Sequence, residues 1–426
     1  MTIHVVAAGQ TLAELARTYG VPAGFLAAWN GLNAPDRLAV GQSLLVLTPT
    51  EVYTVQPGDT LYSVAARAGV SVRRLYQLNP QLGGLSTLSP GQSLCLSIAE
   101  EPDLGAREAF GYAYPFVRQS VLRGILPYAT DLMPFTYGIS ETGGLVSLQD
   151  EALLALAGEY AVRPMMHLST ITESGSFSSQ RAELAVSAQE ARQRLIEAVV
   201  QTVTEKGYRG VDVDFEYIEG QFAQDYATFV AQLRERIRAL GGEVFAALAP
   251  KTATDQQGLL YEGHDYASLG AAADAVLLMT YEWGYSYSPP MAVAPIDAVR
   301  RVVQFAVNQI AANKIFLGFP AYGYDWILPY ERSRRARVIG CDEAVQLALR
   351  YGAEIRFDER ARTPFFRYRA EDGVEHECWF EDARSAMAKY DLLGEYGLRG
   401  VGFWNYMRPF AAGYTLLAAR ARIAQL

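Results

Sequence analysis

From Ala109 to the C-terminus, eight apolar runs of strand length alternate with stretches of helical periodicity, and this alternation limits the available architectures more than any other feature of the chain. The runs are AFGYAYPF (109–116), DLMPFTYGI (131–139), RPMMHLST (163–170), GVDVDFEY (210–217), EVFAALAPK (243–251), AVLLMTYEW (275–283), IFLGFPAYG (315–323) and GVGFWNYM (400–407). Helical stretches such as 181–206 and 222–239 lie between them. Strands separated by whole helices pair in parallel through crossovers. Eight such units, spanning 106–426, predict an α/β fold, a (β/α)8 TIM barrel, somewhat longer than the typical ~250 residues. The surplus falls between the last two runs, at 327–382, where ERSRRARVI, AEIRFD and PFFRYRAED read as a small α+β insertion. A doubly wound sheet also alternates strand and helix, but no Gly-rich phosphate loop follows the first run.

The first hundred residues repeat themselves. Gly9-Gln10-Thr11-Leu12 returns as Gly58-Asp59-Thr60-Leu61 and Asn30 returns as Asn79, each 49 residues on. Gly41-Gln42-Ser43-Leu44 returns as Gly91-Gln92-Ser93-Leu94, 50 residues on. Each copy, 2–48 and 52–98, reads as a βααβ unit whose first helix is capped by Thr11 or Thr60. So small a unit is duplicated for avidity, since two weak sites on one tether hold a repetitive polymer better than one. The acidic Pro/Gly segment IAEEPDLGA links the repeats to the barrel.

The fourth run carries the chemistry. On a strand, side chains alternate faces, so Val211, Val213 and Phe215 point one way and Asp212, Asp214 and Glu216 the other. Three carboxylates facing a barrel interior are untenable as packing. Successive ones stand about 7 Å apart. Such crowding raises at least one pKa and leaves a proton donor available near neutrality. A metal is the other use for such a cluster. The four histidines, His4, His167, His264 and His376, have no metal-ligand spacing, and no metal or other cofactor is expected. Cys95, Cys341 and Cys378 are scattered and odd in number, so they make no disulfide framework.

A net charge of −9 argues against a nucleic-acid partner, while a neutral glycan is compatible with it. The 26 Tyr, 18 Phe and 5 Trp serve either as core or as platforms for the apolar faces of sugar rings. No apolar stretch reaches the ~18 residues of a membrane span. The N-terminus, MTIHVVAAGQTLAEL, shows no basic n-region, apolar h-region or cleavage site, so no signal peptide is expected.

Two resemblances sharpen this reading. GVDVDFE is similar to the DxxDxDxE signature of family 18 glycoside hydrolases, and YTVQPGDTLYSVAARAGVSVRRLYQLNP resembles the LysM domain. The first implies Glu216 as general acid/base, Asp214 orienting and stabilising a substrate N-acetyl group, and Asp212 supporting Asp214. Arg209 stands where the signature has its first Asp. That position is the farthest from the acid, and a structural consequence is expected there. Met279-Thr280-Tyr281 matches the family's Met-x-Tyr, with Tyr281 implied as the partner of the N-acetyl carbonyl. Glu282 replaces the Asp usual in chitinases. Trp404 is implied as the aromatic floor of the central subsite, and Met279, Tyr112, Tyr322 and Glu282 as further substrate contacts.

The implied mechanism is retaining and substrate-assisted, which requires a 2-acetamido sugar. The LysM resemblance implies binding to N-acetylglucosamine in peptidoglycan or chitin-like glycan. The first copy departs from the usual form, with Ala8-Gly9-Gln10 where the second has Pro57-Gly58-Asp59. Two LysM units ahead of such a barrel, with MTYEWG and GFPAYGYDW in it, resemble the spore-associated N-acetylglucosaminidases that act on cortex peptidoglycan. The expectation is a monomeric peptidoglycan hydrolase of the spore coat, cortex or cell wall. The alternatives are a chitinase and a non-hydrolytic glycan-binding protein; retention of Glu216 weighs against the second.

Overall fold

The computed structural model describes residues 1–32, 37–100 and 102–424. Parts of the expected first repeat (33–36), the linker (101) and the barrel end (425–426) lie outside the described residues. Each N-terminal repeat is a two-stranded antiparallel sheet with two helices. The first uses strands Thr2–Val5 and Ser43–Val46 with helices Leu12–Tyr19 and Ala23–Trp29. The second uses Pro49–Thr54 and Ser93–Ile98 with Leu61–Ala68 and Val72–Leu78. Thr11 caps its helix reciprocally with Glu14, and Thr60 does so with Ser63. The recurring asparagines explain themselves here. Asn30 donates to the Leu26 and Leu45 carbonyls at 2.8 Å and accepts from the Leu45 N–H at 2.7 Å. Asn79 makes the same three bonds to Leu75 and Cys95. One buried amide thus ties the end of the second helix to the closing strand in each copy.

The barrel strands are Ala106–Ala113, Asp131–Pro134, a third in two pieces (Arg163–Pro164 and Met166–Ser169), Gly210–Asp214, Glu243–Leu248, Ala275–Leu278, Ile315–Pro320 and Gly400–Trp404. Neighbours pair in parallel around the ring. The eighth strand returns to the first through Val401 opposite Ala109, so the expected barrel closes. Most strands stop several residues before the apolar run does, and those leftover residues form the rim that carries the site. Phe110, Met133, Met165, Phe245, Leu277 and Phe316 fill the interior. At the strands' N-terminal end, Arg399 bridges Glu108 (2.9 Å) and Glu243 (3.0 Å), and Arg163 bridges Asp131 (2.6 Å) and Glu243 (3.3 Å). The Arg399 guanidinium also lies over the Phe245 and Phe316 rings, so charge at that end is paired and stacked as it enters the apolar interior. Among the described residues no helix is long and apolar enough to cross a membrane.

Between the last two barrel strands the chain builds a five-stranded antiparallel sheet with the helix Cys341–Tyr351. This sheet starts at Tyr322, ahead of the boundary at 327, because strand Tyr322–Leu328 follows the seventh barrel strand almost without a break. GFPAYGYDW reads as one apolar run, and only its pairing separates barrel from insertion.

The repeats do not hang on a tether. Trp29 of the first donates to the Leu78 carbonyl of the second at 2.9 Å. Arg73 caps the carbonyls of Ala129 (2.9 Å) and Tyr160 (3.1 Å), Arg74 reaches Ala418 (2.7 Å), and Gln77 reaches Pro127 (2.9 Å). Leu26, Trp29 and Leu45 share one apolar core with the barrel's outer layer. The first repeat also abuts the insertion, where Ile355 donates its N–H to Val40 at 2.9 Å. Gly41 has φ +80°, and a Cβ there would lie 1.8 Å from the Ile355 carbonyl oxygen. Its counterpart Gly91, at φ +86°, faces open space. Gly91→Ala therefore pays only left-handed strain, about 1 kcal/mol, whereas Gly41→Ala also breaks the packing. Thermal unfolding is expected to show a clearly larger Tm loss for Gly41→Ala; equal losses would mean that the repeat does not bear on the insertion in solution.

Candidate active site

The fourth strand, Gly210–Asp214, delivers its carboxylates because its other face is clamped. Val211 and Val213 are buried, and Phe215 stacks on Tyr226 (5.6 Å between centroids) and Phe229 (5.5 Å) of the helix Ala223–Arg238. Asp212, Asp214 and Glu216 are thereby turned to the barrel axis at its C-terminal end. Asp212 lies deepest and is fully buried, Asp214 is partly covered, and Glu216 lies past the strand end at the cleft wall.

The three carboxyls are not equivalent. Asp212 accepts a hydrogen bond from the Tyr112 hydroxyl at 2.9 Å. Burial pushes it up to about 6, opposed by His167 and by that hydrogen bond, while the neighbouring Asp214 raises it further. Glu216 is pushed up to about 8, chiefly by burial and then by the like charges of Asp214 and Glu282. Glu216 therefore holds its proton at neutral pH, and it lines the cleft. A general acid needs both properties.

Tyr281 follows the sixth strand, Ala275–Leu278, on the same face as Met279. Its hydroxyl is raised well above the usual phenol range by burial and by Asp214, Glu216, Asp212 and Glu282. It is therefore a proton-holding donor amid carboxylates, suited to an oxygen that becomes negative. Trp404 ends the eighth strand, partly exposed, with Phe135 at 5.0 Å and Tyr112 at 5.3 Å between centroids. Glu216, Asp214, Tyr281, Met279 and Trp404 all line one open cleft of about 720 Å³.

Two of the expected substrate contacts are not on the wall of that cleft. Tyr112 is 2% exposed and reaches the site through Asp212 and from behind the Trp404 ring. Tyr322 is 4% exposed and donates to Glu282, which Tyr324 also bonds at 3.0 Å. Glu282 itself lines the cleft, with its backbone at φ +67°. Tyr217, next to the acid, has φ +58°. Both strained residues follow strand ends at the cleft, where rigid surroundings hold unusual backbone in place. Arg209, at the signature's first position, is exposed at the entry of the fourth strand, remote from the cleft.

Sequence reasoning missed two histidines by testing them only for metal spacing. His167 Nε2 lies 3.6 Å from Asp212 Oδ2 and 3.5 Å from Asp214 Oδ2. Its Nδ1 is 2.6 Å from the Thr136 hydroxyl, and its ring stacks on Phe135 at 4.7 Å. It is fully buried and stands between the two aspartates. The signal was available, since a His on the face shared by Met165 and Ser169 of an apolar run points into the barrel. His264 accepts the Ala249 N–H at Nδ1 (2.7 Å) and donates from Nε2 to the Phe215 carbonyl (2.9 Å). Burial lowers its pKa, so it stays neutral and pins the backbone next to the acid. It lies outside any strand run, and no pattern marked it.

Known proteins resemble this chain in sequence and fold. The model of glycosyl hydrolases family 18 matches residues 164–408, and the LysM model matches 4–46 and 53–97. The cortical fragment-lytic enzyme of Bacillus subtilis (strain 168) is 37% identical over 308 residues, covering 72% of this chain and 71% of that protein. The cortical fragment-lytic enzyme of Bacillus anthracis is 34% identical over 431 residues, covering 99% of each. The crystal structure of the Bacillus megaterium QM B1551 spore cortex-lytic enzyme SleL superposes with a TM-score of 0.84 at 33% identity, covering 100% of this chain and 99% of the other. With its closed barrel, its carboxylates at the rim and its paired N-terminal repeats, the chain belongs to the glycosyl hydrolases of family 18 and carries two LysM domains.

Proposed function

We propose that this hydrolase cleaves N-acetylglucosaminyl bonds in spore cortex peptidoglycan, or fragments of it, by a retaining, substrate-assisted mechanism. The observation that carries the chemistry is the raised Glu216 at the cleft wall beside Asp214 and Tyr281. Glu216 protonates the glycosidic oxygen as the bond to the anomeric carbon breaks. The carbonyl oxygen of the sugar's own acetamido group attacks that carbon, closing an oxazolinium ring. Asp214 accepts the ring N–H, and the Tyr281 hydroxyl donates to the ring oxygen. Glu216, now ionised, takes a proton from water as that water opens the ring. Asp212 and His167 act as positioning residues behind Asp214, and Tyr112 acts behind Asp212. Trp404 supplies the floor for the N-acetylglucosamine ring.

The cortex as substrate is supported by relatives named for cortical lysis that align with the repeats and barrel together. The LysM domains hold the enzyme on glycan containing N-acetylglucosamine at the spore cortex or cell wall. They are docked modules that present their sites in a fixed relation to the cleft. The enzyme works as a monomer, since the acid, the stabilising residues and the cleft all come from one chain.

Mass spectrometry of cortex muropeptides before and after digestion is expected to show new reducing-end N-acetylglucosamine. Reducing-end muramic acid would overturn the bond assignment. Glu216→Gln is expected to fold normally and lose at least ~10³ in kcat; retention of a tenth of the activity would remove Glu216 from its role. Because the acid must be protonated, kcat/KM is expected to be high at neutral pH and to fall as pH rises through about 8. Glu282→Gln removes a like charge, so its falling limb moves to lower pH. An unmoved limb would mean that Glu282 does not act on the acid. A thiazoline analogue of the oxazoline is expected to inhibit competitively, and Asp214→Asn to weaken that inhibition. Efficient hydrolysis of a de-N-acetylated glycan would overturn substrate assistance.

A further inference from the structure

The catalytic cleft does not end at Trp404. A second cavity, of about 780 Å³, lies beyond it, and the two share Trp404 and Tyr114 as a common wall. Glu216 and Tyr261 line only the first; Arg118, Arg335 and Arg408 line only the second. We propose that this second cavity is a cationic arm of the substrate cleft, which takes the carboxylate carried by the sugar on the non-reducing side of the cleaved bond.

The arginines are the first observation. Among the described residues none of the three makes an ion pair or a side-chain hydrogen bond. Elsewhere on the insertion Arg337, Arg362, Arg367 and Arg369 each sit on a carboxylate. The chain carries a net charge of −9, so three unpaired guanidinium groups around one cavity stand against the general field. The acidic members of the same wall are otherwise engaged. Glu343 bonds Arg337 at 3.0 Å and the Gly340 N–H at 3.3 Å. Asp342 accepts the Ala411 N–H and is pushed up to about 7 by burial, which removes much of its charge near neutrality.

The second observation is a row of rings. Tyr114 lies 6.3 Å from Trp404, and Phe116 lies 5.1 Å from Tyr114 between centroids. Phe116 is 76% exposed. An aromatic so exposed, next to Tyr114 and lining the same cavity as Arg118, provides a second sugar platform within reach of charge.

Direction follows from the acid. Glu216 stands where the leaving group departs, so a cavity on the far side of Trp404 holds the non-reducing neighbour of the central sugar. This step rests on the peptidoglycan reading above. In that polymer N-acetylglucosamine alternates with N-acetylmuramic acid, whose lactyl ether ends in a carboxyl group, free or extended by a peptide that itself ends in one. Arginine forks match either carboxylate.

The test compares three substrates across Arg118→Gln, Arg335→Gln, Arg408→Gln and the triple variant. They are a muramyl tetrasaccharide with free lactyl groups, the same glycan bearing peptides, and neutral chitotetraose. Each single change is expected to lower kcat/KM on a muramyl substrate roughly tenfold, and the triple roughly hundredfold. Chitotetraose turnover should stay within about twofold. Wild-type enzyme on amidated muramyl glycan should show the triple variant's loss. The muramyl substrate that suffers more identifies the carboxylate bound. Equal losses on acidic and neutral glycans, or none on either, would overturn the proposal while leaving the catalytic assignment intact. A wild-type enzyme that cuts chitotetraose but no muramyl glycan would overturn the peptidoglycan reading and the arm together.

Discussion

Everything at the site depends on the two-residue alternation of the fourth strand, enforced from behind. Val211, Val213 and Phe215 are committed to the helix layer, where Phe215 lies between Tyr226 and Phe229. A register slip of one residue would bury the carboxylates among helices and turn the valines inward. Apolar packing on one face therefore holds three like charges on the other, at a cost the protein turns to use. Desolvation and mutual repulsion keep a proton on Glu216 that a solvated glutamate would have lost. The pinning of Phe215 by His264 extends this control to the residue beside Glu216.

The two ends of the barrel handle charge in opposite ways. At the strands' N-terminal end, Arg163 and Arg399 meet Glu108, Asp131 and Glu243 in short ion pairs. That end is neutralised and closed, as suits a surface whose work is stability. At the C-terminal end, among the described residues, the carboxylates face hydroxyls and an imidazole rather than guanidinium partners. Tyr112, His167 and Tyr281 approach them, and none is a permanent cation. A fixed cation there would have lowered the Glu216 pKa and taken its proton near neutrality.

The repeats add a mechanical element. Arg73, Arg74 and Gln77 cap carbonyls of the barrel's outer helices and loops, and the first repeat meets the insertion at Gly41. A polymer held by docked repeats is presented to the cleft along a limited set of directions. A tethered pair of domains would impose no such direction. The insertion serves the same end, since its first strand carries the Tyr322 and Tyr324 hydroxyls that hold Glu282 at the cleft wall.

Eight strands, the repeat and the carboxylate triad were legible in the sequence because each is a periodic pattern, and periodicity survives without coordinates. Asp212, Asp214 and Glu216 could be named because alternation puts all three on one face of a single run, and Tyr281 and Trp404 because their runs resemble those of family 18. Tertiary structure alone decided what no local pattern encodes. His167 becomes part of the site through a neighbouring strand that places it 3.5 Å from Asp214. His264 does so through a loop that folds back on Phe215. Tyr112 sits beneath the surface because barrel closure covers it, and Tyr322 lies on the wall of the second cavity rather than the first because the insertion sheet carries it there. The repeats' docking depends on carbonyls whose exposure is set by how distant helices end. Sequence by itself determined which face each strand presents, because alternation is a property of one strand. Which of those faces meet is a property of many, and only the closed barrel with its docked repeats specifies it.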